Sequence, residues 1–213
     1  MNNKRMKTMI DVLMCVALLA LMAFELIGRT AHEWIGLTMF VLFIVHHVLN
    51  RRWTRSIFNG RYTPYRIWQS ICAVLVLVTM PGLMVSAVLI SQRVFAFLPI
   101  HSGMALGRML HMLCAYWGFL FMGLHVGAHW PALTAGMKRR GWLRVLAALA
   151  ALYGAFAFFR RGFPEYMFLQ SMFVFFDYEE PLLFFFLDYL AILAMMAWIG
   201  NMAARITLKQ TNR

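Results

Sequence analysis

Four histidines lie within or at the end of long apolar stretches, and they repeat at one interval. His32 and His46 are 14 residues apart, and so are His111 and His125. Fourteen residues of α-helix rise about 21 Å and return to within about 40° of the same face. Each of two helices would therefore present one imidazole near each side of a bilayer-sized layer, and imidazole is a ligand that haem iron accepts.

These two histidine-bearing helices would run parallel, because one further predicted helix separates them in the chain. His32 then faces His111 on the outer side, and His46 faces His125 on the inner side. This arrangement predicts two bis-histidine sites stacked roughly 20 Å apart.

Small residues and a helix-start signal accompany the histidines. Gly36 lies one turn after His32, and Gly118 lies midway between the two histidines of the second helix. Both positions lack a side chain and would leave room for a flat macrocycle. The segment Thr30 to Glu33 is typical of a capping box, which would fix His32 in the first turn of its helix.

Two neighbouring histidines are rivals for the inner site. His47 adjoins His46, and His129 lies one turn beyond His125. Either could replace a ligand, bind a haem propionate or take part in quinone chemistry. Equal depth favours His46 with His125, because one porphyrin must meet both of its ligands at one level.

Two further titratable residues fall on the predicted outer side. His101 in an outer loop and Glu25 in the first apolar stretch are candidates for exchanging quinol protons. Zinc or copper bound by the ligand histidines is disfavoured, because sites separated by half a bilayer do not converge on one ion. A membrane histidine can also simply hydrogen-bond a neighbouring helix, but the doubled interval favours ligation.

The elements that must position these histidines are strongly apolar. The 213 residues are 62% hydrophobic and 13% charged, with a mean hydropathy of +0.70. Six stretches approach the roughly 17 to 25 residues that cross a bilayer. We expect an all-α polytopic membrane protein: six transmembrane helices around a four-helix haem-binding bundle, in a single transmembrane domain of residues 1–213. The stretches are Met9 to Ile27, Trp34 to Val48, Ile67 to Ile90, Leu106 to Val126, Leu143 to Phe159 and Leu182 to Ala203.

Basic residues divide unevenly between the two sides of this topology. Fifteen of the 20 fall on the side of the amino terminus, so the positive-inside rule predicts that both termini are cytoplasmic. The expected location is the bacterial cytoplasmic (inner) membrane, with several passes. The net charge of +12 is then explained by anionic membrane lipid and not by nucleic acid. Docking of an acidic soluble partner on residues Asn50 to Arg66 is the alternative.

Acidic residues show the opposite bias. Five of the eight fall in or beside the outer loop that precedes the last stretch, next to an apolar segment, Phe163 to Pro181, that is too short to cross. We expect this loop to be a lid over the outer end of the bundle or a surface for a redox partner protein. The five are Glu165, Asp177, Glu179, Glu180 and Asp188.

Signatures of other cofactors are missing from the sequence. There is no G-x-G-x-x-G and no Walker loop, and no C-x-x-C-H for covalent attachment of haem. Any haem would therefore be non-covalent, and electrons would have to come from other molecules.

The paired histidines resemble those of the di-haem transmembrane cytochromes b, including the membrane domains of ferric reductases and NADPH oxidases and the b subunits of quinone-linked complexes. The stretch from His32-Glu33-Trp34-Ile35-Gly36 through His46-His47-Val48-Leu49-Asn50 to Trp53 also resembles small bacterial membrane cytochromes classed as a domain of unknown function. The resemblance covers the second to fourth apolar stretches and implies haem b, bis-histidine ligation and transmembrane electron transfer. The flavin and nicotinamide domain of the reductases has no counterpart here.

These features predict a b-type cytochrome that transfers electrons through two haems b, between a quinol or small redox carrier and a separate partner, as an oxidoreductase or its electron-transfer subunit. The sequence leaves open whether quinone binds. The alternative is a non-catalytic membrane anchor that docks a redox partner through the outer loop. A transporter or channel is disfavoured because charged residues within the spans are few, mainly Asp11 and Glu25, and no duplicated half is evident.

Overall fold

The computed structural model describes residues 3–57, 59, 61–100, 102–134 and 141–211. Within these residues the chain forms helices joined by turns and contains no β-strand. The helices are α1 (Asn3–Met22), α2 (Phe24–Leu49), α3 (Arg51–Ser56), α4 (Pro64–Ile90), α5 (Met104–Leu133), α6 (Gly141–Arg160), α7 (Phe163–Met167) and α8 (Leu182–Thr211).

Five helices of the described chain are long and apolar enough to cross a bilayer, namely α2, α4, α5, α6 and α8. They expose large apolar side chains, such as Val78 on α4 and Leu152 and Phe159 on α6. Apolar side chains exposed in this way are unfavourable in water and favourable in lipid. A helix also satisfies its own backbone hydrogen-bonding groups within the hydrocarbon layer. The chain is therefore a helical membrane protein with several passes.

The first helix differs from these five in its charge. Four charged residues lie within its 20 residues: Lys4, Arg5, Lys7 and Asp11. The predicted first span, Met9 to Ile27, divides between two helices, because α1 ends at Met22 and α2 begins at Phe24. The boundaries expected for the first span were therefore wrong, whereas Trp34 to Val48 lies within α2, and a sixth span stays a prediction.

Helix α2 contains a break before its histidines. Gly28 has φ 73° and ψ 165°, a backbone conformation that glycine adopts without the steric cost met by other residues. The break separates the first turn of α2 from the part that carries His32 and His46. In α4, by contrast, Pro81 lies within a continuous helix.

The chain divides into two compact units. Unit 1 comprises residues 1–61 and 80–111, and unit 2 comprises residues 62–79 and 112–213. Residues of α4 and α5 belong to both, so the division falls within continuous helices. In unit 1, α1 packs along α2, and in unit 2, α6 packs along α8.

Glycines allow very close helix packing in unit 2. A Cβ added at Gly154 of α6 would overlap the Ala191 carbonyl of α8, and one added at Gly200 of α8 would overlap the Leu124 carbonyl of α5. Small residues at such contacts let membrane helices approach and gain dispersion energy where no hydrophobic driving force exists between them. Unit 2 is therefore a tightly packed group of α5, α6 and α8.

Candidate functional site

His32 of α2 and His111 of α5 lie side by side in unit 1. Their ring centroids are 6.0 Å apart and their planes meet at 62°. Two imidazoles on opposite sides of one metal ion, each with a metal–nitrogen bond of about 2 Å, have centroids about 6 Å apart. The structure thus brings together in unit 1 the two side chains that the sequence paired on the outer side.

The ring of His111 is oriented by Ser86 of α4. The buried Ser86 hydroxyl lies 3.1 Å from His111 Nδ1 and donates its own hydrogen to the Leu83 carbonyl at 2.8 Å. Because a hydroxyl has one hydrogen to give, a Ser86 that donates to Leu83 can only accept from Nδ1–H. His111 therefore keeps a lone pair on Nε2, the tautomer of a metal-bound histidine whose other nitrogen is held by a neighbour.

Gly107 explains why α4 and α5 come close enough for this contact. A Cβ added at Gly107 would lie 2.8 Å from Cγ2 of Ile90 and 3.0 Å from Cβ of Leu89. Gly107 precedes His111 by four residues, so it lies on the same face one turn earlier. The missing side chain therefore brings His111 within reach of Ser86.

The surroundings of His32 are largely apolar. Its ring packs edge-on against Phe24 with centroids 5.1 Å apart. Nδ1 itself is buried without a hydrogen-bond partner among the described residues. A Cβ added at Gly36 would meet only Leu21, at 3.9 Å, so the helix surface one turn after His32 stays open. Such a ring nitrogen is costly to bury unless another group satisfies it, so the His32 imidazole keeps a free hydrogen-bonding position in an apolar setting.

Glu33, next to His32, binds the turn that follows α4. Its carboxylate accepts hydrogen bonds from the Ser91 hydroxyl at 2.6 Å and from the backbone N–H groups of residues 92–94 at 2.9–3.0 Å. The expected capping box is therefore wrong for this side chain, which links α2 to the end of α4. Since α4 also carries Ser86, the link joins the helix of one histidine to the helix that orients the other.

The predicted inner ligand of unit 1 also has a carboxylate partner. His46 Nδ1 lies 2.7 Å from Asp11 Oδ1, an arrangement that sets ring orientation in many metal sites and leaves Nε2 as the ligand atom. Asn50 Nδ2 lies 3.5 Å from His46 Nε2. His47 instead packs edge-on against Phe43, with centroids 4.5 Å apart. The sequence offered no signal for the Asp11 contact, because it depends on how α1 packs along α2.

His125 and His129 lie together in unit 2, with ring centroids 4.8 Å apart. The Gln69 side-chain nitrogen lies 3.2 Å from His129 Nδ1 and also donates to the Tyr65 hydroxyl at 2.9 Å. An amide nitrogen donates, so Nδ1 of His129 accepts and the ring proton sits on Nε2. This tautomer favours His125 over His129 as a ligand through Nε2.

The remaining predicted positions differ in their surroundings. At Gly118, an added Cβ would lie 3.3 Å from the Thr79 side chain of α4. The missing side chain there allows α4 to approach α5, and the space predicted for a macrocycle at Gly118 is occupied. Glu25 is exposed in the first turn of α2, and His101 lies outside the described residues. Across the part of the chain that the structure describes, no group of three or more His, Cys, Asp or Glu side chains is placed to hold a metal ion.

A buried ionic cluster holds the outer loop of unit 2. Asp188, fully buried, accepts hydrogen bonds from the Tyr153 hydroxyl at 2.5 Å and from Arg161 Nε at 2.7 Å. Glu180 forms ion pairs with Arg160 at 2.5 Å and with Arg161 at 2.6 Å. Burial opposes the charge of Arg161, but the bonds to Glu180 and Asp188 outweigh it and raise the pKa of that guanidinium. Two of the five acids expected to form a partner surface are therefore structural.

The rest of the outer loop is fixed near α7 and exposes several side chains beyond it. The Trp117 indole donates to the Met167 carbonyl at 3.0 Å, which fixes α7 against α5. After Met167 the chain is irregular as far as Pro181. Exposed side chains along the loop include three acids and three aromatic rings: Glu165, Asp177, Glu179, Phe173, Phe175 and Tyr178.

The fold places the chain among helical multi-pass membrane proteins with histidines inside its spans. Comparison with protein-family models, with curated proteins and with solved structures found no match to the chain. The function is therefore argued from the geometry of the residues themselves.

Proposed function

We propose that the chain is a b-type cytochrome that transfers electrons across its membrane, with haem b held between histidines. The observation that carries this proposal is the pair His32 and His111, whose ring centroids lie 6.0 Å apart. Ser86 supports it because its hydroxyl lies 3.1 Å from His111 Nδ1 and would leave Nε2 of that ring for a metal. Haem b supplies a one-electron iron couple whose potential depends on its ligands and on the polarity around it.

The same proposal assigns a second haem to His46 and His125. In unit 1, Asp11 holds Nδ1 of His46, so Nε2 is the ligand atom. In unit 2, Gln69 places the proton of His129 on Nε2, which leaves His125 as the better donor. The repeated 14-residue interval supports both assignments, since each helix would then supply one ligand at each level.

We further propose that α1 is a sixth span, that both termini are cytoplasmic and that the protein lies in a bacterial inner membrane. The distribution of basic residues supports this orientation. Electrons would pass between a quinol or small carrier and a separate partner protein. A reporter fused to either terminus should be active only in the cytoplasm, and activity only outside would reverse the orientation.

The test of the cytochrome is a reduced-minus-oxidised absorption spectrum of the purified protein after expression with ample haem. Haem b bands from two haems per chain are expected. His111→Ala should remove one haem, because Ser86 cannot replace the lost ligand. The matched control is His47→Ala, which removes an imidazole that packs against Phe43 and should keep both haems. A featureless spectrum of the unaltered protein would refute the proposal.

The inner pairing has its own test. Replacing His46 or His125 with alanine should remove the inner haem and leave the outer one in place. If the His47 or His129 variant instead loses one haem while the His46 and His125 variants keep both, the inner pairing is wrong.

A non-catalytic membrane anchor is the second candidate function. It is favoured by the exposed rings of Phe173, Phe175 and Tyr178 in the outer loop, because exposed aromatic side chains are common at sites of protein association. An anchor would copurify with its partner and show no haem spectrum. The cytochrome would keep its spectrum when these three rings are replaced with serine.

A further inference from the structure

A basic cavity lies in unit 1 where α2 ends and α3 begins. It has a volume of about 480 Å³ and is lined by Lys7 of α1 and by residues 48–53. The lining includes the cations Lys7, Arg51 and Arg52 and no carboxylate. Three positive side chains around one recess favour an anion.

The wall of this cavity is built from defined contacts. Lys7 Nζ donates to Asn50 Oδ1 at 2.9 Å, and Asn50 Nδ2 donates to the His46 carbonyl at 3.0 Å. The nearby carboxylate of Asp11 is engaged by His46 at 2.7 Å. The ammonium group is therefore held beside the recess, and the two exposed guanidinium groups of Arg51 and Arg52 complete the charged rim.

Position along the helix indicates where the anion comes from. The part of α2 after the break at Gly28 runs from residue 29 to residue 49, and 21 residues at a rise of 1.5 Å each make it about 31 Å long. Because the hydrocarbon layer is about 30 Å thick, the last residues of α2 lie near the phosphate level. Trp53 is half-buried there, and indole prefers this level. Val48, more than half exposed, offers apolar surface on the membrane side.

We propose that this cavity binds the phosphodiester headgroup of an anionic phospholipid. Lys7, Arg51 and Arg52 contact the phosphate, while Val48 and Trp53 contact the glycerol and the upper acyl chain. The site uses residues outside the proposed haem ligands, so it stands whether or not the protein binds haem.

The test is native mass spectrometry of the full chain in neutral detergent, titrated with short-chain phosphatidylglycerol and, separately, with phosphatidylcholine. Phosphatidylglycerol should bind more tightly. Arg51→Gln and Arg52→Gln should each weaken its binding about fivefold, the equivalent of about 1 kcal/mol per basic residue near an anionic surface. Arg51→Lys keeps the charge and should stay close to the unaltered protein, which guards against loss of folding.

The matched control is Arg55→Gln, which removes the same charge from the same short helix but does not line the cavity. Little change is expected. Equal weakening by Arg55→Gln would show diffuse attraction and overturn the site, as would equal binding of phosphatidylcholine. Displacement of phosphatidylglycerol by a modest excess of inorganic phosphate would identify a free-anion site and overturn the lipid assignment.

Discussion

The contacts that join helices within unit 1 differ in kind from those that join helices within unit 2. In unit 1, single polar contacts join the helices: Glu33 to the turn after α4, Ser86 to His111 and Asp11 to His46. In unit 2, α5, α6 and α8 touch backbone to backbone through glycines, and one buried ionic cluster joins the end of α6 to the start of α8.

The two kinds of contact have different physical effects. A polar contact between helices fixes the direction of a particular side chain, which a ligand site requires, but each such bond adds only about 0.6 kcal/mol in membrane proteins. Close backbone contact orders whole helices through many dispersion contacts. Substitutions at the polar contacts of unit 1 should therefore change the site of His32 and His111, whereas substitutions at the glycine contacts of unit 2 should change stability.

The largest expected effect is in the ionic cluster of unit 2. Asp188→Asn removes the charge that Arg161 faces at 2.7 Å, and breaking a buried ion pair typically costs about 3–5 kcal/mol. The thermal midpoint of the detergent-solubilised protein should fall strongly. Asp177→Asn makes the same chemical change in the exposed part of the loop and should alter stability by less than about 0.5 kcal/mol. Equal losses would remove the distinction between cluster and loop.

The next effect compares one glycine from each unit. Gly200→Ala adds a methyl group that overlaps the Leu124 carbonyl, so α5 and α8 must separate, at a cost of about 1–3 kcal/mol. Gly36→Ala adds the same group where the nearest atom, in Leu21, is 3.9 Å away. It should be neutral or slightly stabilising, because alanine is the better helix residue by about 0.5–1 kcal/mol. Both are measured by thermal unfolding, and a larger loss at Gly36 would contradict the comparison.

Much of the helical fold could be predicted from hydropathy. The stretches Ile67 to Ile90 and Leu182 to Ala203 lie within α4 and α8, since long apolar runs in lipid have few alternatives to helix. The boundary at Ala23 could not be predicted, because the apolar run continues through it and neither glycine nor proline occupies the turn. Composition records how apolar a segment is, but not where packing against a neighbour makes it turn.

The candidate site was predictable only in part. The spacing placed His32 opposite His111, because helical geometry relates residues within each helix. Ser86 and Gly107 gave no signal, since a buried serine and a helical glycine are ordinary in membrane helices, and their roles depend on a contact between α4 and α5. The pairing of His46 with His125 stays a prediction.

The smallest effect concerns the orientation of one ring. Ser86→Ala removes the acceptor of His111 Nδ1–H and leaves the packing nearly unchanged, so the stability of unit 1 should change little. Loss of such a partner to a metal-bound histidine typically weakens metal binding by about tenfold or more. The outer haem should therefore be retained less well on dilution. Its low-temperature electron paramagnetic resonance signal should also shift, because the imidazole plane is no longer fixed.

Ser70→Ala is the control for this prediction. It removes a buried hydroxyl from the same helix, one without a hydrogen-bond partner among the described residues, and both haems should be unaffected. If Ser86→Ala and Ser70→Ala give the same haem content and the same signal, Ser86 does not orient His111, and the polar contacts of unit 1 serve only its packing.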